Sequence, residues 1–370
     1  MNRPDTVISS PLPKAKVPDV ENQTPYPTQY FQTVDPDDNV FHVVVLKATY
    51  DMTQTNEFGQ LEPHTELTAL ATSDQFEGEP GETPLIYESD YCAFKPKCDV
   101  FLMNAIAYAP ENQALARWPV AVAVGDWKKI VNVTGPRKFI LKDGAYQLTE
   151  PQAVKVVELN YSNALGGENR WPEKPNAEGE FAIHEVAPEN SIGKGFADKD
   201  WLSYAKPTSY PAPQIELYEQ AYTGQAEYPA VSLTPMMKTW EPRVDLAGSY
   251  NDDWKHHRWP KLPIDHDYAF WNCTPADQQI DYPVGGEVVN LVNLHPEVPH
   301  IRFSLPTDQF VCDVYLDEGP VLKQKMHLDT LAIDMQNLKL ITVHRVNVIS
   351  GINSLEFKVR LSKRENSIWA

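Results

Sequence analysis

Residues 118–125 read WPVAVAVG, and this short stretch gives the clearest indication of the fold class. Its large side chains, at positions 118, 120, 122 and 124, alternate with smaller ones at 119, 121 and 123. A period of two places successive side chains on opposite faces of a β-strand. We therefore expect the large side chains to pack on a core, while the small ones allow a second sheet or loop to lie close.

Further strand signals lie on both sides of this stretch. Upstream, FHVVVLKATY (41–50) is rich in β-branched residues, and DVFLMNAIAYA (99–109) is apolar on both faces, which is typical of a buried strand. Downstream, LKDGAY holds Asp143-Gly144 between apolar runs, a strong hairpin signal. Additional strands are expected at 129–133, 137–148, 154–161, 300–305, 310–316, 326–334, 338–348 and 355–361.

The spacing of these strands predicts the architecture. Short strands joined at hairpin distances are typical of antiparallel sandwiches and barrels. The 32 prolines disfavour long helices and favour rigid turns. A short helix is suggested only over 214–227, where the apolar spacing is poor. We predict a mainly β fold, with antiparallel β-sandwich or barrel-like sheets, long irregular Pro-rich connections and little helix.

Changes in composition divide the chain into four predicted regions. Residues 1–38 form a polar, Pro-rich N-terminal arm, and residues 39–165 form an N-terminal β-rich region. Residues 166–250 form an irregular Pro/Gly-rich connecting region, and residues 251–370 form a C-terminal β-rich region. A connection of this length without clear periodicity is uncommon in a compact domain and often has a function.

Charge and targeting signals limit the partners. The net charge of −19 opposes binding to phosphate backbones and anionic membrane surfaces, so neither nucleic acid nor membrane is an expected partner. The N-terminus lacks the apolar core of a secretory signal, and no apolar run is long enough to span a bilayer. The four cysteines match no zinc motif and no disulfide framework. We expect a cytoplasmic protein with reduced thiols and no cofactor.

Residues 254–279 read WKHHRWPKLPIDHDYAFWNCTPADQQ and are the most unusual part of the chain. Trp, Pro, Arg and amide side chains of this kind can hold irregular backbone in place, because every buried backbone amide needs a partner. The same residue types, Trp and Arg above all, also anchor protein interfaces. The sequence leaves both uses open, a buried structural corner and a partner-binding surface.

Catalytic interpretations of this stretch are less favoured. His256, His257, Asp265, His266 and Asp267 offer nitrogen and oxygen ligands. Neighbours on an extended chain point to opposite faces, so three of them meet only around a bent backbone. The carboxylate pairs 265/267 and 252/253 could act as acid and base. No G-x-S-x-G elbow, P-loop or H-E-x-x-H motif is present. We predict a non-enzyme, with a metal-dependent hydrolase and a carbohydrate- or peptide-binding β module as alternatives.

These residues resemble a known family. Residues 254–279, the GGE at 285–287 and the FSLP at 303–306 resemble a bacterial domain-of-unknown-function family whose members are typically encoded beside type VI secretion spike genes. The similarity extends to ESDYCAFKPKCDVFLMNAIAYAP (88–110) and to LDTLAIDMQNLKLITVHR (328–345), so it covers most of the chain. The 254–279 motif is its most specific part.

The resemblance implies a function. Members of that family are described as effector adaptors or chaperones, so we expect non-catalytic binding of a toxic type VI effector before firing. The spike protein VgrG, or its PAAR tip, is a further expected partner. No catalytic and no metal-binding residue is implied. The residues expected to bind the partner or to shape the motif are Trp254, Arg258, Trp259, Pro260, Pro263, Asp265, Asp267, Phe270, Trp271, Asn272, Asp277, Gln278 and Gln279.

Overall fold

The computed structural model describes residues 20–170, 184–225, 227–316, 321–350 and 355–362. Within these ranges the chain is mainly β, with several antiparallel sheets and two short α-helices, and no sheet closes into a barrel. The predicted fold class is confirmed. The first half of the predicted N-terminal arm, residues 1–19, lies outside the described ranges.

The strands vary from two to sixteen residues in length. In chain order they are β1 (Val20–Asn22), β2 (Thr28–Val34), β3 (Val40–Thr55), β4 (Leu61–Pro63), β5 (Gln75–Phe76), β6 (Leu85–Tyr87), β7 (Cys98–Met103), β8 (Ile106–Tyr108), β9 (Arg117–Val124), β10 (Trp127–Thr134), β11 (Lys138–Lys142), β12 (Ala145–Leu148), β13 (Val156–Glu158), β14 (Leu165–Gly166), β15 (Glu168–Arg170), β16 (His184–Val186), β17 (Lys194–Gly195), β18 (Ser209–Pro211), β19 (Ile215–Leu217), β20 (Gln279–Ile280), β21 (Val288–Val292), β22 (His300–Ser304), β23 (Gln309–Leu316), β24 (Leu322–Lys325), β25 (His327–Asp334), β26 (Lys339–Ser350) and β27 (Leu355–Ser362).

The largest sheet has seven strands in the order β2-β3-β26-β25-β7-β20, with β4 added beside β3. Its pairs are antiparallel except that β7 and β25 run parallel. In β3, Val43, Val44, Val45 and Leu46 are all fully buried, so both faces of this strand are covered. Coverage of both faces explains why the sequence here is an unbroken apolar run.

A second sheet packs against one face of the first. It is antiparallel, with the order β19-β10-β9-β21-β22. The large side chains of WPVAVAVG on β9 are all buried in the same apolar cluster as Val44 and Leu46 of β3. Their inward direction is as the alternation predicts. A four-stranded sheet, β1-β27-β23-β24, adds Phe310 and Val314 of β23 to the same cluster.

The two predicted β-rich regions share their sheets. In the seven-stranded sheet β3 pairs with β26 and β7 pairs with β25, and in the five-stranded sheet β9 pairs with β21. The described part of the N-terminal arm also takes part, since β2 pairs with β3 and β1 runs parallel to β27. Strands far apart in sequence therefore build one core.

The predicted Asp143-Gly144 hairpin is confirmed. Lys142 at the end of β11 lies opposite Ala145 at the start of β12, and both turn residues have positive φ, 52° and 82°. Positive φ at both central positions is the geometry that Asp-Gly favours. The prediction of a short helix over 214–227 is wrong, because the strand β19 lies there and pairs with β10.

The two α-helices, α1 (Lys199–Ala205) and α2 (Asp252–His257), were not predicted. Each has fewer than two turns, which is too short for a periodic apolar pattern to show. Each begins at a side-chain cap, Asp198 for α1 and Asn251 for α2. No helix in the described ranges is long and apolar enough to cross a membrane.

Candidate partner-binding surface

The seven-stranded sheet has one face against the five-stranded sheet. Its opposite face carries charged side chains among its apolar ones. Among the described residues, four ion pairs with no side chain more than 6% exposed lie on this face or against it. We term this set the ion-pair layer. Its pairs are Lys47–Asp90 at 2.7 Å, Lys95–Asp99 at 2.8 Å, Arg243–Glu88 at 2.6 Å and Arg345–Asp329 at 2.7 Å. Four cations face four anions, which is the balance that burial of charge requires.

Asp99 on β7 is the point where the 254–279 motif meets this layer. One carboxylate oxygen accepts from Lys95 Nζ at 2.8 Å and from the Cys273 amide at 3.1 Å. The other accepts from the Thr274 hydroxyl at 2.6 Å and from the Thr274 amide at 3.2 Å. Burial raises the pKa of Asp99, but attraction to Lys95 and these hydrogen bonds outweigh burial and hold the pKa below its ordinary value. Asp99 is therefore an ionised anchor for the motif.

The second half of the motif, residues 266–279, covers the ion-pair layer and is termed the covering segment. Asn272 Nδ2 donates to the Lys97 carbonyl at 2.9 Å, and Gln278 Nε2 donates to the Val100 carbonyl at 3.0 Å. Gln278 Oε1 accepts from Lys129 Nζ of β10 at 2.7 Å. These amide side chains satisfy buried backbone carbonyls, as irregular buried chain requires.

Arg243 holds the covering segment from outside the motif. Its guanidinium donates to the Phe270 carbonyl and the Met236 carbonyl, both at 2.8 Å, and to Glu88 at 2.7 Å. Burial lowers the pKa of Arg243, but attraction to Glu88 more than compensates and raises it. Arg243 falls in the region predicted to be irregular, and no local pattern in the sequence marks its role.

The first half of the motif lies in a largely exposed segment, residues 248–265, termed the aromatic lobe. Inside it, Trp254 Nε1 donates to the Lys261 carbonyl at 2.8 Å. Arg258 donates to the Leu262 and Pro36 carbonyls, and its guanidinium lies 3.3 Å from Asp38. A cis peptide bond joins residues 259 and 260. The lobe is thus held both by its own contacts and by the chain just before β3.

Large apolar side chains of the aromatic lobe face solvent. Trp259 is 67% exposed, Ile264 is 75% exposed and Tyr250 is 54% exposed. Tyr250 also contacts Trp254, with the ring centroids 4.7 Å apart. Single exposed apolar residues are common on protein surfaces, but these three share one short segment, which makes the aromatic lobe the candidate interaction surface.

The two aspartates of the motif that were considered for metal binding or acid/base chemistry have structural partners. Asp265 accepts from the Ser249 amide and hydroxyl, and these bonds lower its pKa. Asp267 accepts from the Ala269 amide at the start of the 3-10 turn Tyr268–Trp271. His256 and His257 both belong to the short helix α2 and not to extended chain. In the described chain no group of three His, Cys, Asp or Glu side chains is arranged to hold a metal ion.

The structure separates the thirteen motif candidates into two groups. Trp254, Arg258, Trp259, Pro260, Pro263 and Asp265 belong to the aromatic lobe, while Asp267, Phe270, Trp271, Asn272, Asp277, Gln278 and Gln279 belong to the covering segment. Within the second group Asn272 and Gln278 are buried, Phe270, Trp271 and Gln279 are partly buried, and Asp267 and Asp277 are exposed. The motif therefore combines a buried corner with an exposed surface.

Two cavities lie next to the motif or just after it. The first, about 310 Å³, is termed the motif pocket, and its wall includes Leu246, Ala269 and Pro275. The second, about 430 Å³, lies between the seven-stranded and four-stranded sheets and is lined by the loop at residues 281–285 and by His344. Burial lowers the pKa of His344 to about 3.

The chain is a mainly β protein in which half of the motif supports the sheet and the other half forms an exposed aromatic lobe. The chain belongs to the bacterial family DUF2169, described as "Uncharacterized protein conserved in bacteria", whose sequence profile matches residues 37–345. No curated protein and no solved structure matches the chain.

Proposed function

We propose that the protein is a type VI secretion adaptor, which binds a toxic effector in the cytoplasm and helps to load it onto the VgrG or PAAR spike. The resemblance described for the 254–279 motif supplies the secretion context. The structural observation that supports a binding role is the aromatic lobe, where Trp259 and Ile264 are exposed although the backbone that carries them is anchored by Arg258.

An exposed apolar side chain on an anchored backbone favours association for two reasons. Full burial of a side chain such as Ile264 contributes about 1.5–3 kcal/mol, and most of this is still available because 75% of the residue faces water. A partner that binds an already ordered loop also avoids the entropic cost of ordering it. Trp259 and Arg258 are of the residue types that dominate binding free energy at interfaces.

Two carboxylates, one in the motif and one on the strand beneath it, support the same proposal. Asp99 uses its oxygens on Lys95 and on residues 273–274, and Asp265 uses both of its oxygens on Ser249. A general base must reach a substrate proton, and Asp99 already accepts hydrogen bonds at all four of its lone-pair positions. These carboxylates instead serve to position the backbone.

The direct test is capture of the effector encoded beside the native gene by the full chain, after co-expression. The variant Trp259→Ala/Ile264→Ser should weaken binding by at least about tenfold, because each residue loses apolar burial at the interface. Phe58→Ala is the matched control, since Phe58 is 73% exposed on the turn between β3 and β4 and outside the lobe.

Two results would count against the proposal. The first is failure of the chain to bind any effector or spike protein in cells that express the secretion genes. The second is a lobe variant that binds as tightly as the Phe58→Ala control.

The exposure of Trp259 also favours a second candidate, a carbohydrate-binding β module in which Trp rings stack on sugars. Trp254 and Trp271 are partly buried, so Trp259 would be the main platform. A glycan array separates the candidates, because a carbohydrate module should bind a defined glycan and lose it on Trp259→Ala.

A further inference from the structure

We infer that the motif pocket is an anchor site for one apolar side chain from a basic segment of the partner. This inference rests on the proposed binding function and specifies where the partner is held and by which chemistry. It starts from the shape and wall of the pocket, and continues with its unpartnered polar atoms, its charge and its position.

The size and wall of the pocket suit a single large side chain. Its volume of about 310 Å³ is at the lower end of the range for ligand pockets, roughly 300–1,000 Å³. Met236, Leu246 and Ala269 supply apolar surface, and Pro242 and Pro275 stiffen its wall. Side chains such as Leu, Phe or Trp are the expected occupants, because burying them against such walls is favourable.

Two buried residues of the wall have polar atoms with no partner among the described residues. These atoms are the Tyr161 hydroxyl and Asn272 Oδ1, on side chains only 2% and 1% exposed. Buried polar atoms of this kind are normally hydrogen-bonded. Asn272 Oδ1 needs a hydrogen-bond donor. A partner peptide that places an apolar side chain in the pocket also brings backbone N–H groups that can supply one.

The charge around the pocket favours a basic partner. Glu189 and Glu241 line the pocket and are exposed, and within the described chain Glu241 makes no ion pair. Arg243 also lines the pocket, but Glu88 neutralises it and the carbonyls of residues 236 and 270 accept from two more of its N–H groups. With a net charge of −19 on the whole protein, Lys or Arg on either side of the anchor would be attracted.

The position of the pocket connects it to the aromatic lobe. The amide of Asp267 donates to the Leu246 carbonyl at 2.9 Å, so the two ends of the lobe meet. Leu246 lies just before the lobe and Ala269 just after it, and both line the pocket. The pocket is therefore at the base of the lobe.

The test uses short fluorescent peptides and the full chain, with binding followed by fluorescence anisotropy. The probe peptides place one Leu, Phe or Trp between Lys and Arg residues. Matched peptides replace the anchor with Ala, or the basic residues with Glu. We expect the basic, anchored peptides to bind, and each matched peptide to bind at least about tenfold more weakly.

Two variants locate the binding. Ala276→Trp places a large side chain at an exposed wall position, and Ala114→Trp is its control on a remote exposed loop. Glu189→Lys/Glu241→Lys reverses the charge of the pocket. Its control, Glu57→Lys/Glu62→Lys, changes the total charge equally at exposed sites elsewhere. Both pocket variants should weaken binding of the basic peptides at least about tenfold, and both controls less than about twofold.

The inference is overturned if the Glu or Ala peptides bind equally well, or if Ala276→Trp binds like Ala114→Trp. Its failure is distinct from failure of the adaptor role. Effector capture that is insensitive to Ala276→Trp removes the pocket inference alone. Peptide binding at the pocket without capture of any effector or spike protein removes the adaptor role alone.

Discussion

Replacing Asp99 with Asn tests whether charge holds the covering segment in place. Asn is nearly the same size as Asp, so packing is retained, but Lys95 would lose its counter-charge while remaining 6% exposed. Breaking a buried ion pair by removing one partner costs about 3–5 kcal/mol, because an uncompensated charge stays buried. The donors from residues 273–274 would also lose a charged acceptor. We expect the free energy of unfolding to fall by about 3–5 kcal/mol, a large part of the roughly 5–15 kcal/mol of a typical protein.

The assay is urea unfolding at neutral pH, followed by tryptophan fluorescence. Lys95→Met/Asp99→Asn removes both charges, so it should be more stable than Asp99→Asn by at least about 2 kcal/mol, since no unpaired ammonium remains. Asp265→Asn is the control for an exposed carboxylate and should leave the urea midpoint nearly unchanged. A loss below about 1 kcal/mol for Asp99→Asn, or a double variant less stable than the single one, would show that the reasoning is wrong.

His344 and Gly248 allow two further tests of stability. Burial holds His344 neutral, with a pKa of about 3, while the unfolded chain binds a proton below about pH 6.5, so stability should fall as pH drops through this window. Between neutral pH and about pH 5, the free energy of unfolding should fall by about 2 kcal/mol from this residue. Urea unfolding at these two pH values should show a smaller fall for His344→Gln. Gly248 has φ of 89°, and an added Cβ would lie 2.8 Å from Pro263 and 2.9 Å from Asp265. Gly248→Ala should therefore loosen the aromatic lobe, seen as faster limited proteolysis within residues 248–265, whereas an unchanged rate would contradict this.

The elements that could be predicted from sequence are those with local causes. The strand over residues 118–124 follows from alternation, and the hairpin at Asp143-Gly144 follows from the φ angles that Asp and Gly tolerate. The helices α1 and α2 could not be predicted, because so few residues show no periodicity. The helix signal at 214–227 failed because pairing of β19 with β10 outweighs weak local preference.

The ion-pair layer could not be predicted because most of its partners are far apart in sequence and meet only in the folded chain. Lys47 pairs with Asp90 and Arg345 pairs with Asp329, yet each charge considered alone looks like a surface residue. The candidate site was recognisable in part, since its unusual composition marked residues 254–279. Nothing in the sequence indicated that Asp99 and Arg243, which lie outside this stretch, hold the covering segment in place.

The amino-acid sequence by itself determined a mainly β chain, the direction of the large side chains on β9 and a Trp-, Pro- and amide-rich motif of uncertain use. Only the tertiary structure decided which half of that motif is buried. Asn272 and Gln278 are buried because β7 and the residue before it lie beneath them, and the backbone carbonyls of residues 97 and 100 need donors. Trp259 and Ile264, equally apolar or more so, remain in solvent because no other part of the described chain covers these two side chains. Burial depends on what the rest of the chain places against a residue, and a local pattern does not contain that information.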